Sequence, residues 1–490
     1  MTPSYSQQQE LIELAETAMR ERGLWPDFSS AAEEQTAAME HPGEPHGGEV
    51  RDLRDLLWCS IDNDDSRDLD QITVSESLPD GAVRILVGIA DVDALVRQGT
   101  PVDQHAAHNT TSVYTSAIIF PMLPEKLSTG LTSLNPQEDR LAMVTDMVFQ
   151  PDGTLASATV YRAWVHNHAQ LAYDAVSDWI VGKGPLPEAA AAVSGMDAQL
   201  RTQDAVAQQL RARRIDNGAL EFQTFQPKAV FQDGKLVKIT EQEQNRARQL
   251  IQEFMIATNG VAARFLAQQG RSSLRRVVRS PERWQRIVTE AARLGTELPP
   301  EPDGPALEAF LAQQRRRDPD RFPDLSLTII KLMGAGEYAL ETPGGNSTGH
   351  FGLAVRDYSH STAPNRRFPD LVTARLLKAA LKDQAAPYSD DELARLAEHC
   401  TRQEDAANKV ERQIHKSEAA LILEAHIGKE FDGIITGVSK GNNWVRIFLP
   451  PAEGKLHVRR GDSVHVGKRV RVKLLATDVE RGHIDFELLS

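Results

Sequence analysis

The period of the apolar residues changes along this chain, and the last change constrains the fold most. Through 390–427 they recur with helical spacing; from 428 they alternate in short runs broken by Gly, Asn and Asp. "EFDGIITGVSKGNNWVRIFL", "KLHVRR" and "KRVRVKLLATDVERGHIDFELLS" carry the rhythm of a small five-stranded barrel. An earlier change falls near residue 50. Before it, Leu11, Leu14, Ala15 and Met19 mark a helical face over 5–22, a second short helix is expected over 29–40, and "HPGEPHGGEV" reads as a linker. A chain of 490 residues also exceeds what one core supports. The expectation is a multi-domain α+β protein: a small helical unit with linker at 1–48, a large α+β domain at 49–427 and a barrel at 428–490.

The large domain reads as strands first and helices later. "DLLWCSI" (55–61) and "AVRILVGIADV" (82–92) are strand-like, and 141–167 is a hairpin turning at "PDG". Helical spacing follows over 173–181, 188–213, 241–269, 280–294, 305–316, 324–342, 369–382 and 390–427.

Two cysteines, Cys59 and Cys400, leave no disulfide scaffold and no cysteine-rich zinc site, and suit a reducing cytoplasm. No apolar run approaches a membrane span, and the polar N-terminus lacks the apolar core of a signal peptide. The net charge is −14, yet 428–490 carries eleven Lys and Arg, among them Lys440 and Arg460, against eight Asp and Glu, among them Asp462. That contrast favours an anionic partner at this end.

"IDNDDSRDLDQI" (61–72) holds five aspartates in twelve positions. Crowded carboxylates repel and raise each other's pKa, a penalty that a cation removes. Asp68 and Asp70 are two apart, so on an extended segment they share a side, and Asp62 approaches them if the loop folds back. All-oxygen donors suit Mg²⁺ or Mn²⁺ better than zinc. The EF-hand template fails, because Arg67 and Thr73 stand where it needs glycine and glutamate. On spacing alone, a solvated acidic turn, a structural cation and a catalytic metal all remain open.

"GHFGLAVRDYSHSTAPNRRFPDL" (349–371) sets Arg366 and Arg367 just before a helix near Pro369. Their planar forks suit phosphate, and equally a helix start with surface arginines. "RSSLRRVVRSPERWQR" (271–286) reads as a stretch facing an anionic partner or as a solvated helix face.

Together these stretches resemble the ribonuclease II/ribonuclease R (RNB) family of 3′→5′ exoribonucleases over about 50–425, and 428–490 is similar to its S1 RNA-binding domain, an OB-type barrel. Ile61, Asp62, Asp68, Leu69 and Asp70 match the family's I-D-(five residues)-D-hydrophobic-D-D signature. "IADVDALV", "IIFPMLPEKLSTGLTSLNP", "RRIDNGALEF", "ARQLIQEFMIATNGVAARFL" and "HFGLAVRDYSHSTAPNRRFPDL" resemble later blocks.

The resemblance implies a cytoplasmic, monomeric hydrolase that shortens single-stranded RNA from its 3′ end and releases nucleoside 5′-monophosphates. It implies Mg²⁺ on Asp62, Asp68 and Asp70, Arg366 on the scissile phosphate, and Arg367 among the RNA-binding residues. Tyr173 falls where an aromatic packs against the 3′-terminal nucleotide; without the resemblance it reads as a core tyrosine. Glu253 and Glu411 fall near positions touching the terminal nucleotides, and equally fit exposed helix faces.

Three departures stand out. Gln71 replaces a fourth aspartate, offering a neutral carbonyl oxygen as metal donor; Asp64 and Asp65 lie near but off the spacing. The family's T-S-P-I-R-R-Y is Thr362-Ala363-Pro364-Asn365-Arg366-Arg367-Phe368 here, without the serine and tyrosine hydroxyls. The first 50 residues do not accommodate the family's two cold-shock barrels; a helical unit, of helix-turn-helix size, stands there. The rival reading is a catalytically impaired RNB-like RNA-binding protein, with Gln71 as the sign of lost cleavage; a DNA nuclease fits the S1-like end less well.

Overall fold

The computed structural model describes residues 6–45, 49–224, 227–232, 235–241, 244–319, 321–345, 347–439, 442–459 and 464–489. Residues 46–48 of the expected linker, and Lys440, Arg460 and Asp462 of the C-terminal charge set, lie outside them.

Two helices open the chain, α1 (Gln7–Glu21) and α2 (Ser30–Ala37), each started by a serine whose side chain accepts from a first-turn amide. A mixed sheet follows: β1 (Val50–Asp52), β2 (Cys59–Asp62), β3 (Gln71–Ser77), β4 (Val83–Ala90), then, after α3 (Pro101–Asn109) and the hairpin β5 (Val113–Tyr114)–β6 (Ile119–Phe120), β7 (Asp139–Phe149), β8 (Leu155–His166) and β9 (Ala169–Ala172). Its seven strands run β1-β8-β7-β4-β3-β2-β9, antiparallel inside and parallel at both edges. The β7–β8 hairpin turns at the expected "PDG", where Gly153 takes a φ of 77° that a side chain would resist.

The helical half contains α4 (Tyr173–Ile180), α5 (Glu188–Ala191), α6 (Met196–Asp216), α7 (Arg246–Gln268), α8 (Trp284–Arg293), α9 (Gly304–Arg317), α10 (Phe322–Met333), α11 (Phe368–Leu381) and α12 (Asp390–Glu424). Short strands interrupt it: β10 (Pro227–Gln232) pairs with β11 (Lys235–Glu241), and β12 (Ser273–Val277) with β13 (Glu337–Glu341). β14 (Glu430–Ser439), β15 (Asn442–Ile447), β16 (Ala452–His457), β17 (Arg469–Asp478) and β18 (His483–Leu488) close the expected five-stranded barrel. Its core continues into α12 through Ala419, Ala420 and Leu423.

The structure corrects several elements. The helix expected over 324–342 stops at Met333, because Gly334 takes a φ of 92°; the remainder becomes β13. The 271–286 stretch is not one helix face: Arg275 and Arg276 lie on β12 and pair with Glu341 and Glu404. The helix over 241–269 begins only at Arg246, capped by Asn245, and of 55–61 only Cys59–Ile61 is strand. The break after Ala191 splits 188–213 into α5 and α6. The N-terminal helices build no core of their own. α1 packs Ala15, Ala18 and Met19 against Val410 and Ile414 of α12, while α2 packs on α3.

Buried ion pairs join α11 to the sheet. Asp91, just past β4, accepts from Arg162 of β8 at 3.0 Å and from Lys378 of α11 at 2.8 Å. Arg375 reaches Asp93 at 2.9 Å and Asp103 at 2.7 Å. α12 starts on a reciprocal cap in which Ser389 and Glu392 satisfy each other's backbone N–H. Ser389→Ala is expected to cost about 1 kcal/mol, read as a lower denaturant midpoint with unchanged slope.

Candidate active site

Strand register brings the acidic loop to a point. Asp62 ends β2 and pairs with Ala172 of the parallel β9, so Tyr173 follows directly beside it. The loop 63–69 folds back because Ser133 holds it: its Oγ accepts from Leu69 N and donates to Arg67 O, both at 2.9 Å, while Leu134 N donates to Leu69 O. Leu69 is buried beneath this clasp. Asp68 and Asp70 flank it and lie within electrostatic reach of one another, and Asp68 of Asp62.

Each carboxylate has a different setting. Asp62 accepts from Asn63 N at 2.7 Å and Ser66 Oγ at 2.9 Å, and burial raises its pKa. Asp68 accepts from the Tyr114 hydroxyl at 3.0 Å. Asp70 is buried; its Oδ1 accepts from Asn365 N at 2.8 Å and its Oδ2 has no hydrogen-bond partner, though Arg366 Nε stands 3.3 Å away. Burial pushes the Asp70 carboxyl up to about 7, with Arg366 opposing. Gln71 is anchored by Nε2 to Ile61 O, leaving Oε1 buried and without a hydrogen-bond partner.

The loop before α11 delivers the arginine. Asp370, in the helix's first turn, accepts from Thr362 N, Ala363 N and Arg367 Nη2 at 2.7–2.8 Å. Asn259 Oδ1 takes Ser361 N and Oγ, and Thr132 Oγ1 donates to Asn365 Oδ1. Ser112 N, two residues before Tyr114, donates to Arg366 O. This splits the two arginines. Arg367 turns to Asp370, whereas Arg366 faces the aspartates with 44% of its side chain exposed.

Tyr173 lies under the Arg248 guanidinium, 4.5 Å from ring centroid to Cζ, and Arg248 donates to Asn63 Oδ1. Glu411 does not join the carboxylates; its Oε1 accepts from Tyr114 N at 2.9 Å and so braces that tyrosine. Glu253 is buried with both oxygens on Arg214, in the wall of a separate cavity of about 730 Å³ that also holds Glu221 and His350. Asp64 and Asp65 are exposed on the loop's outer side. Tyr114, Ser133, Asn259 and Asp370 were not legible as site residues. Only Asp370 had a local signal, an acid in the first turn after proline.

Among the described residues, no three His, Cys, Asp or Glu side chains converge tightly enough to enclose an ion by themselves. The donors nonetheless fit a hydrated Mg²⁺, which keeps waters and takes one or two carboxylates plus phosphate oxygens. Asp70 Oδ2 and Gln71 Oε1 are buried oxygens with no hydrogen bond to lose.

The RNB domain family model matches residues 50–383, and the model of the RNase II-type exonuclease C-terminal S1 domain matches 429–489. The chain belongs to the RNB domain family. Ribonuclease R of Escherichia coli (strain K12) is 32% identical over 507 residues, covering 95% of this chain and 60% of that protein. The chain thus spans less than two thirds of that relative. Mycoplasma genitalium RNase R, solved in complex with ribose methylated single-stranded RNA, superimposes with a TM-score of 0.88 at 22% identity, over 98% of this chain and 78% of that one. Yeast Ssd1, described as a pseudonuclease, also shares the fold, with a TM-score of 0.71 at 15% identity over 90% of this chain and 55% of its own. Fold therefore leaves cleavage open, and the side chains carry that question.

Proposed function

We propose that this chain is a divalent-metal-dependent exoribonuclease that hydrolyses single-stranded RNA from the 3′ end to nucleoside 5′-monophosphates. The observation that carries the reading is Arg366, exposed and 3.3 Å from the buried, open oxygen of Asp70, with Asp62 and Asp68 alongside. Asp62, Asp68 and Asp70, with the Gln71 carbonyl, would hold Mg²⁺, with Mn²⁺ as substitute. When bound, the ion supplies Lewis acidity toward the phosphate and toward an attacking water. Arg366 neutralises charge growing on the phosphate, preorganised because Asp370 and Asn259 fix its loop. Tyr114 and Tyr173 offer ring faces beside the carboxylates, with Glu411 steadying the first, and terminal bases stack there. On the barrel, Trp444 under Lys416 and Phe448 under Arg469 give stacking faces next to cations, suited to a strand passing toward the site. Glu253 acts at one remove, through Arg214.

A monomer in the cytoplasm is the setting this reading takes; among the described residues no helix is long and apolar enough to cross a membrane.

The test is a gel time course on 5′-labelled single-stranded RNA with Mg²⁺, Mn²⁺ or chelator. A metal-dependent ladder shortening from the 3′ end supports the enzyme. Intact RNA with a mobility shift under every condition favours the binding-protein reading. Gln71→Asp adds a buried carboxylate with no protein partner, so it is expected to cost about 1–3 kcal/mol in chelator. Mg²⁺ is expected to restore most of that loss. Thermal melting with and without Mg²⁺ reads this without relying on activity; an equal loss in both would remove Gln71 from the metal position.

A further inference from the structure

The Tyr173 ring stands where two helices meet, and one arginine joins it to the acidic loop. Tyr173 opens α4, and α7 begins beside it. Two hydrogen bonds fix that junction: Asn245, which caps α7, donates from Nδ2 to Asp174 at 2.7 Å, and Arg246 N donates to Ser177 Oγ at 3.2 Å. Arg246 also places Nε and Nη2 on the two carboxylate oxygens of Asp204, at 2.7 and 3.0 Å. The first turn of α7, which carries Arg248, is therefore anchored.

Arg248 touches two parts of the candidate site at once. Its guanidinium covers one face of the Tyr173 ring, with Cζ 4.5 Å from the centroid. Its Nη2 donates to Asn63 Oδ1 at 2.8 Å, and Asn63 N donates to Asp62 Oδ1 at 2.7 Å. Ring, guanidinium, amide and carboxylate form one chain of contacts that ends on a proposed metal donor. A planar fork can lie over a ring and still reach an acceptor with one of its donors; a lysine ammonium, a compact point charge, is poorly suited to both. Tyr173 is half-buried, and Asp62 and Arg366 lie within electrostatic reach of it. A cation that served only to attract RNA would need neither the ring nor the loop.

We propose that Arg248 is a positioning residue that sets the register of the 3′-terminal nucleotide. It backs one face of Tyr173, the terminal base takes the opposite face, and the Asn63 link holds this platform at a fixed distance from Asp62. The proposal rests on the exoribonuclease reading and assigns Arg248 no contact with the reacting atoms.

Two measurements on the full chain test it. In the first, single-stranded RNA with 2-aminopurine at its 3′ end is titrated in EDTA, and stacking of the terminal base is read as fluorescence quenching. Arg248→Met keeps the length and apolar stem of the side chain, and a melting curve checks its fold. It is expected to bind the RNA with less terminal quenching, while an internal 2-aminopurine responds as in the parent. In the second, single-turnover hydrolysis is followed in Mg²⁺. Arg248→Met is expected to lower the rate at saturating RNA by about tenfold to a hundredfold, the cost of a misplaced substrate. Half-saturation is expected to move less, because phosphate contacts elsewhere hold the strand. Arg248→Lys keeps the charge without the fork and is expected to recover only part of the rate. Because the arginine acts through the ring, Tyr173→Leu/Arg248→Met is expected to be about as slow as Tyr173→Leu alone.

The inference is overturned by parent-like quenching and rate in Arg248→Met, by losses that multiply in the double variant, or by full recovery in Arg248→Lys, which would make the residue a plain phosphate contact. A parent that binds and quenches but never hydrolyses overturns the exoribonuclease reading instead, and the quenching comparison still decides on Arg248.

Discussion

Asp70→Asn is expected to lower 3′→5′ RNA hydrolysis by about a thousandfold or more while leaving RNA binding and the fold in place. The size follows from what Asp70 does twice over. It offers the buried oxygen nearest Arg366 and accepts the Asn365 amide that orients the arginine loop. Losing preorganised charge at a reacting phosphate typically costs about 10²–10³ in rate, and weakened metal binding adds to it. Stability is expected to hold or rise slightly. Burial already pushes the Asp70 carboxyl up to about 7, so the fold disfavours its charge without a cation, and a neutral amide of the same shape avoids that cost. Single-turnover kinetics on 5′-labelled RNA, with a chelator-treated parent and a binding titration, check this. A variant within tenfold of the parent would take Asp70 out of the reaction.

Asp370→Ala is expected to act in the opposite order, on stability first. Asp370 is fully buried and accepts from Thr362 N, Ala363 N and Arg367, so alanine leaves a half-buried guanidinium and two backbone amides without their acceptor. Breaking a buried ion pair from one side costs about 3–5 kcal/mol. The Arg366 loop loses its anchor, so hydrolysis falls even where the protein remains folded. Asp370→Asn keeps one acceptor oxygen and is expected to lose about half as much stability. Denaturant unfolding of both variants, with rates measured below the transition, separates the two effects. Native stability in Asp370→Ala would mean that Arg367 finds another partner.

The contrast between these two aspartates marks how far local sequence reaches. Asp62, Asp68 and Asp70 were legible because the spacing of a strand exit and an extended loop sets which side chains share a side. Arg366 was singled out by the resemblance to the RNB family, since its turn before a helix reads equally as a place for surface arginines. Local composition does not tell the two arginines of the turn apart. Which one faces the carboxylates depends on Asp370 capturing the other, a choice made by buried hydrogen bonds across one helical turn. The strand β13 was missed because 324–342 keeps an apolar helical rhythm past Gly334, whose φ of 92° ends the helix. Glu253 shows the same limit, since its helix position was clear and its pairing with Arg214 was not.

What the sequence determined by itself is the barrel at the C-terminal end, the early strands with later helices, and the grouping of the aspartates of the 61–72 loop. Each is set by periods and spacings of a few residues, the range over which backbone geometry is fixed. Which of those aspartates, and which arginine, to expect at the site came from the family resemblance. Only the tertiary structure decided that Tyr114 meets Asp68 from 46 residues away, and that the Asn365 amide reaches Asp70 across 295. It also decided that α1 packs on α12. Such pairings depend on which surfaces bury one another, and no local period encodes that.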